Sequence, residues 1–144
     1  MPHSKLEKAD DLSLLTALVY GEARSQKIDG KIAVAFCAKH RKDDPKRWPD
    51  TWAGVILQPK QFSCFNEDDK NFDGVLRALD TYQSAHDIAW RECKAAAFLV
   101  LHGWHRDNIY GCNHYHAIWM NRVPYWASDR VPLITIGEHR FYRL

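Results

Sequence analysis

The sequence contains no apolar segment long enough to cross a membrane. Its longest apolar run, residues 95–101, is far shorter than the ~20 residues that a membrane-spanning helix requires. Residues 1–11 are polar and lack the apolar core of a secretory signal. These absences predict a soluble protein that is made in the cytoplasm without a signal peptide or a membrane anchor.

A large excess of charge of one sign is also missing. The 20 Lys and Arg residues nearly balance the 18 Asp and Glu residues, leaving a formal net charge of +2 at pH 7. Because nucleic-acid binding usually needs a strongly basic surface, we expect no nucleic-acid partner. Residues 39–47 form a basic run interrupted by Asp43 and Asp44. This run is either a solvated loop or a weak steering patch for an acidic polymer.

The four cysteines are scattered and include no CxxC pair. Cys37 and Cys93 fall in apolar helical stretches, where cysteine acts as a small buried side chain. Because a cytoplasmic protein rarely holds disulfides, we expect four free thiols.

Internal repeats, low-complexity segments and linkers are missing as well, so we expect residues 1–144 to form one domain. Apolar periodicity predicts five helices. The first helix begins near Asp10 or Asp11. The other four cover residues 30–41, 51–57, 72–79 and 84–102, and Asp50 is the predicted cap of the helix over residues 51–57. Residues 113–117 and 134–142 are rich in β-branched and aromatic residues, which predicts short antiparallel strands. The predicted fold class is therefore α+β, a mainly helical body with a small antiparallel sheet or hairpin toward the C-terminus.

Glu22 is placed by the periodicity of the first helix. It follows Leu15 by seven residues and Val19 by three, so it continues the apolar face of that helix. A carboxylic acid in such a place can have a raised pKa, which a general acid needs in order to donate a proton at neutral pH. The alternative is a structural residue at a helix end, paired with Arg24 or Lys27.

Three ordered blocks of sequence resemble the cell wall hydrolases related to the spore cortex-lytic enzyme SleB. The first is V-Y-G-E-A-R over residues 19–24, followed by Gly30 and an apolar helix. The second is P-D-T-W-A-G-V-I-L-Q-P-K-Q-F-S over residues 49–63. The third combines H-Y-H at 114–116, P-Y-W at 124–126 and I-G-E-H-R-F-Y at 136–142.

This resemblance implies a lysozyme-like fold, with no metal or cofactor. It also implies that the partner is peptidoglycan, cleaved between N-acetylmuramic acid and N-acetylglucosamine, with Glu22 as the catalytic residue. The family usually continues G-E-A-R-G-E, whereas Ser25 and Gln26 stand here. An amide keeps a hydrogen bond but not a charge, so we interpret Gln26 as a supporting residue.

The blocks contain no second carboxylate in an obvious nucleophile position. A two-carboxylate glycosidase needs a second Asp or Glu roughly 5–9.5 Å from the first. The candidates in or near loops are Asp29, Glu67, Asp68, Asp69, Asp107 and Glu138. A lytic transglycosylase needs only one acid, which later acts as the base that closes a 1,6-anhydro ring, and we favour that mechanism.

The Q-F-S block supplies three candidate substrate-binding residues. Gln61 and Ser63 can hydrogen-bond an N-acetyl group or a hydroxyl of a glycan, or can cap local backbone instead. Phe62 is the third candidate, although its apolar ring is better suited to anchoring the loop in the core.

The third block supplies four more candidates: His114, Tyr115, His116 and Trp126. On a strand the two histidines share one face and Tyr115 occupies the other. Three interpretations of the histidines remain open. They border the substrate site, they ligate a metal together with His102, His105, His139 or Cys112, or they are structural residues. Tyr115 contacts substrate or packs in the core.

We expect a monomer that acts on the cell wall after release, and its small size suggests a phage endolysin. Two other functions compete with this interpretation. A zinc amidase would cut the stem peptide of peptidoglycan, using the histidines and cysteines. A non-catalytic module would grip glycan with its aromatic rings, since the sequence holds six each of Trp, Tyr and Phe.

Overall fold

A computed structural model describes residues 4–80 and 86–144 of the chain. Within that part, the helices are α1 Ser4–Glu7, α2 Asp11–Ala23, α3 Ile28–Lys42, α4 Trp52–Ile56, α5 Phe72–Ala78 and α6 Ile88–Leu101. The strands are β1 His114–Ala117, β2 Ile134–Ile136 and β3 His139–Tyr142. Two 3-10 turns, Ser63–Phe65 and Tyr125–Ala127, lie between these elements. The described residues confirm the α+β class.

Helices α2, α3 and α6 pack against one another and form the centre of the core. Helix α2 begins as predicted, because the Asp10 carboxylate accepts a hydrogen bond from the Ser13 N–H at 2.7 Å. The sequence suggested one apolar stripe on α2, but the helix is buried from Leu14 to Val19 without interruption. Packing surrounds α2, and Glu22 lies in its last turn.

Three predicted helix starts differ from the structure, and the first is that of α3, which begins at Ile28 and not at residue 30. The cap of α4 is Thr51, not Asp50, since the Thr51 hydroxyl accepts a hydrogen bond from the Gly54 N–H at 3.0 Å. The predicted start of the last helix at residue 84 lies outside the described residues. Within them, α6 begins at Ile88, and the Asp87 side chain caps it by accepting a hydrogen bond from the Trp90 N–H.

The strands form one antiparallel sheet in the order β1-β3-β2. Residues 113–117 and 134–142 were predicted as strand segments, and both hold strands. The second segment folds into a hairpin whose turn contains Gly137, at a φ of +56° that favours glycine. Tyr115 pairs with Phe141 across β1 and β3, and this face of the sheet packs against the helical core. None of the helices in the described ranges has the length and apolarity to span a membrane.

Candidate active site

Glu22 lies at the end of the buried helix α2, where its side chain is only partly exposed. Burial of the carboxyl raises its pKa from 4.5 to about 7, because an ionised carboxylate loses solvation there. The negative charge of Asp69 raises the pKa further. The Tyr115 hydroxyl and the Ser63 backbone N–H lie near the carboxyl and lower its pKa, because both groups favour its ionised form. A carboxyl of this kind is about half protonated at pH 7 and can therefore donate a proton at neutral pH.

Tyr115 lies near Glu22, on the face of strand β1 that packs against the helical core. Its ring packs on Phe141 at 5.6 Å, on the edge of His139 at 5.0 Å and on Phe62 at 6.5 Å. The Tyr115 hydroxyl is buried and makes no hydrogen bond with the described residues. It faces Glu22 closely enough to lower the pKa of that carboxyl, and is therefore a donor available to the ionised acid.

The Q-F-S loop reaches Glu22 because Gly21 leaves room for it. A Cβ atom at Gly21 would lie 2.6 Å from the Cβ and Sγ atoms of Cys64, closer than atoms can approach. Phe62 is buried, whereas the Gln61 and Ser63 side chains are exposed. The close contact at Gly21 brings the Ser63 N–H to the carboxyl.

Arg41 is a site residue that the sequence reasoning missed. It is buried at the end of α3, and its Nε donates to the Asn113 carbonyl at 2.7 Å. Its NH1 group donates to Gln61 Oε1 at 3.2 Å, and its guanidinium lies 4.9 Å from the centre of the Phe62 ring. Arg41 therefore joins the Q-F-S loop to the start of β1. The sequence pattern that could have indicated its burial is its position one helical turn after Cys37, on a helix that is apolar on almost every face.

Asp69 was one candidate among six carboxylates, and the structure singles it out by its charge near Glu22. Its Oδ1 atom accepts a hydrogen bond from the Asn71 N–H at 2.8 Å. The Asn71 side chain in turn accepts a hydrogen bond at 2.9 Å from Arg24, the first residue after α2. These contacts hold the loop that carries Asp69 against the end of α2. Arg24 is thus paired with Asn71 and not with Glu22.

His114, His116 and Trp126 form a separate cluster on the opposite face of the sheet from Tyr115. Trp126 lies 4.9 Å from His114, 6.0 Å from His116 and 5.4 Å from Tyr142, measured between ring centroids. The structure therefore does not bring these three residues to Glu22. Their contact with a substrate stays a prediction, as it does for Gln61, Phe62, Ser63 and Tyr115.

Both histidines make hydrogen bonds through their ring nitrogens. His116 is buried, its Nδ1–H donates to the Ala117 carbonyl at 2.9 Å, and its Nε2 atom shares a hydrogen bond with the Tyr142 hydroxyl at 2.9 Å. Burial, together with nearby arginines, lowers the pKa of His114 to about 4. Within residues 4–80 and 86–144, no group of three or more His, Cys, Asp or Glu side chains is arranged to hold a metal ion.

A cavity of about 550 Å³ lies beside the first half of α2, away from this site. Its lining includes Lys8, Ser13, Trp90 and Lys94. Thr16, the lining residue on α2 that is nearest to Glu22 in the sequence, precedes it by six residues, which at about 1.5 Å per residue is roughly 9 Å along the helix. The cavity is therefore separate from the Glu22 carboxyl.

Fold and site together define an α+β domain of the lysozyme-like class, with one buried carboxyl at the end of a central helix. The chain is similar to the catalytic domain of the germination-specific lytic transglycosylase SleB from Bacillus anthracis, with a TM-score of 0.68 and 24% identity, covering 91% of this chain and 92% of that one. The catalytic domain of the Bacillus cereus SleB protein gives a TM-score of 0.68 at 23% identity and 96% coverage of both chains. These similarities confirm the predicted lysozyme-like fold.

Residues 25–142 match the model of the Cell Wall Hydrolase family. The spore cortex-lytic enzyme of Bacillus subtilis (strain 168) is 39% identical over 134 residues, which are 92% of this chain and 37% of that protein. The spore cortex-lytic enzyme of Oceanobacillus iheyensis is 33% identical over 78 residues, 49% of this chain and 28% of that protein. The chain belongs to the cell wall hydrolase family, and it spans about a third of the length of these two relatives. The family match begins three residues after Glu22.

Proposed function

We propose that the chain cleaves the glycan strands of peptidoglycan between N-acetylmuramic acid and N-acetylglucosamine, as a lytic transglycosylase with Glu22 as its single acid/base residue. Membership of the cell wall hydrolase family supports the substrate class. The observation that carries the chemistry is the Glu22 carboxyl, whose pKa is raised to about 7 by burial. Such a group is about half protonated at pH 7, so it can donate a proton in one step and accept one in the next.

The reaction has two balanced steps. In the first, the Glu22 carboxyl donates its proton to the glycosidic oxygen, the C1–O bond breaks, and its electron pair leaves with the N-acetylglucosamine oxygen. In the second, the Glu22 carboxylate removes the proton of the muramic acid 6-hydroxyl, and that oxygen bonds to C1. The Tyr115 hydroxyl and the Ser63 N–H stabilise the carboxylate between the two steps, since both favour its ionised form.

Mass spectrometry of the released fragments tests this mechanism. Purified peptidoglycan digested by the chain is expected to yield muramic acid ends lighter by one water than hydrolytic products, because the 6-hydroxyl replaces water. Activity is expected to survive strong chelators. Hydrolytic ends would contradict the transglycosylase step. Freed peptides on intact glycan would contradict the whole proposal and favour a peptidoglycan amidase, whereas binding without any cleavage would favour a glycan-binding module.

The pH dependence of the rate is expected to report the two opposing influences on Glu22. The acid must be protonated, so the rate falls as pH rises through about 7, the pKa of Glu22. Asp69→Asn removes a like charge, lowers that pKa and moves this alkaline limb to lower pH. Tyr115→Phe removes a donor to the carboxylate, raises the pKa and moves the limb to higher pH.

These shifts are read from initial cleavage rates across a pH series with wild type as the reference. Asp68→Asn, in the neighbouring exposed residue, is the matched control for Asp69→Asn and leaves the limb in place. A shift of the same sign in Asp69→Asn and Tyr115→Phe would contradict the assignment of the limb to Glu22.

We further propose that the enzyme folds in the cytoplasm and reaches the wall on release, in the manner of a phage endolysin. Its four cysteines are buried and unpaired, which suits a reducing compartment. Cells that produce the chain alone are expected to stay intact, and to lyse when a separate pore-forming membrane protein is supplied. Lysis without the pore would contradict this mode of action.

A further inference from the structure

Gln26 lies in the turn between α2 and α3, four residues after Glu22, and holds the β2–β3 hairpin. Its Nε2 group donates to Glu138 Oε2 at 3.2 Å. Its Oε1 atom accepts a hydrogen bond from the Glu138 backbone N–H at 3.0 Å. One amide thus binds both the side chain and the backbone of Glu138, an arrangement we call the Gln26–Glu138 clamp.

Packing around Gln26 leaves its side chain little freedom. A Cβ atom at Gly137, in the hairpin turn, would overlap Gln26 Oε1, and a Cβ atom at Gly30 would lie 2.9 Å from Gln26 Cβ. The buried Lys31 ammonium donates to the Gln26 carbonyl and to Glu92 Oε2 on α6, the latter at 3.3 Å. Backbone and side chain of Gln26 are therefore both fixed.

The clamp connects to Tyr115 through the sheet. The Glu138 carbonyl accepts a hydrogen bond from the Ile118 N–H at 2.8 Å, directly after β1, the strand that carries Tyr115. The next residue, His139, packs against the Tyr115 ring at 5.0 Å. The clamp therefore ties the end of the helix bearing Glu22 to the two strands that place the Tyr115 hydroxyl.

We propose that the Gln26–Glu138 clamp is a positioning device that sets Tyr115 against Glu22 during catalysis, an inference that rests on the proposed function. An amide at residue 26 accepts from the Glu138 N–H and donates to the Glu138 carboxylate, whereas an ionised carboxylate there could only accept. A glutamate at residue 26, as in G-E-A-R-G-E, would face the Glu138 carboxylate and repel it. Gln26 and Glu138 are thus a matched pair in this chain, and neither acts on substrate directly.

A charge swap tests the pairing. Gln26→Glu is expected to lower kcat on soluble glycan strands by about tenfold with little change in KM, because misplacing a catalytic group costs rate more than binding. Adding Glu138→Gln restores a donor opposite the new carboxylate, and is expected to return kcat to within about twofold of wild type. Ser25→Glu adds a carboxylate at the neighbouring exposed residue and is the matched control, with wild-type kcat.

Thermal unfolding of the same variants separates this inference from the proposed function. The midpoint is expected to fall in Gln26→Glu and to recover in the double variant, whether or not the protein cleaves glycan. An inactive wild type would overturn the proposed function alone. Wild-type kcat in Gln26→Glu, or a double variant that regains stability but not kcat, would overturn the positioning role of the clamp. If Gln26→Glu fails to fold, Glu138→Ala takes its place, and wild-type kcat there would also overturn it.

Discussion

Replacing Glu22 with glutamine is expected to lower the rate of glycan cleavage by about 1000-fold or more, the scale of a lost general acid. Glutamine has nearly the same shape but carries no proton to donate, and its amide cannot act as the base of the second step. The loss is measured as the rate of turbidity decrease of a peptidoglycan suspension, together with chromatography of the released fragments. The variant is still expected to sediment with the wall.

The same substitution is expected to stabilise the protein at alkaline pH. The folded state holds the Glu22 proton up to about pH 7, whereas the unfolded chain releases it near 4.5. Wild type therefore loses stability as pH rises through that window, by an amount of roughly 3 kcal/mol for a shift of this size. Glutamine does not titrate, so the advantage of Glu22→Gln grows between pH 4.5 and 7.

Chemical unfolding at several pH values measures this difference. Glu67→Gln, in an exposed loop residue, is the control and is expected to leave both activity and stability near wild type. A Glu22→Gln variant that retains a large share of the activity would refute the role of Glu22 as the acid. A variant that is inactive and also less stable at alkaline pH would show that Glu22 is structural.

Two residues of the candidate site, Glu22 and Tyr115, could be placed from the sequence, because helical spacing and strand alternation determine which way their side chains face. Glu22 follows Val19 by one helical turn, so the buried neighbourhood of its carboxyl could be read from the sequence. Tyr115 alternates with His114 and His116 along one strand, so its separation from the histidines could be read in the same way. Which of the two faces meets Glu22 could not, because that depends on how the sheet packs on the helices.

The remaining site residues depend on tertiary contacts that leave no local pattern. Asp69 is 47 residues from Glu22, in a loop with several acidic neighbours, and only the fold distinguishes it from them. Arg41 is buried although it is charged, because its guanidinium donates to the Asn113 carbonyl and to Gln61 Oε1 and lies over the Phe62 ring. The prediction of Asp50 as the cap of α4 was wrong by one residue, because the hydroxyl of the adjacent Thr51 accepts the hydrogen bond from the Gly54 N–H.

Gly21→Ala is expected to lower the cleavage rate by about 100-fold, since a displacement near 1 Å at a catalytic group can have that effect. The added Cβ atom would lie 2.6 Å from Cys64 and 2.9 Å from Val75, both fully buried. The Ser63–Phe65 turn must move away from α2 to make room, and the Ser63 N–H then leaves the Glu22 carboxyl. Overpacking of this kind costs about 1–3 kcal/mol, and exceeds what alanine gains over glycine in a helix.

Gly74→Ala is the matched control, because a Cβ atom at Gly74 would meet only the Arg77 side chain, at 3.9 Å. That variant is expected to keep wild-type activity and to gain up to about 1 kcal/mol from the higher helix propensity of alanine. Urea unfolding and initial cleavage rates measure both variants. Wild-type rate and stability in Gly21→Ala would show that the Q-F-S loop does not depend on close contact with α2. Loss of rate only in Gly21→Ala would establish that the missing side chain at residue 21 admits the loop to the acid.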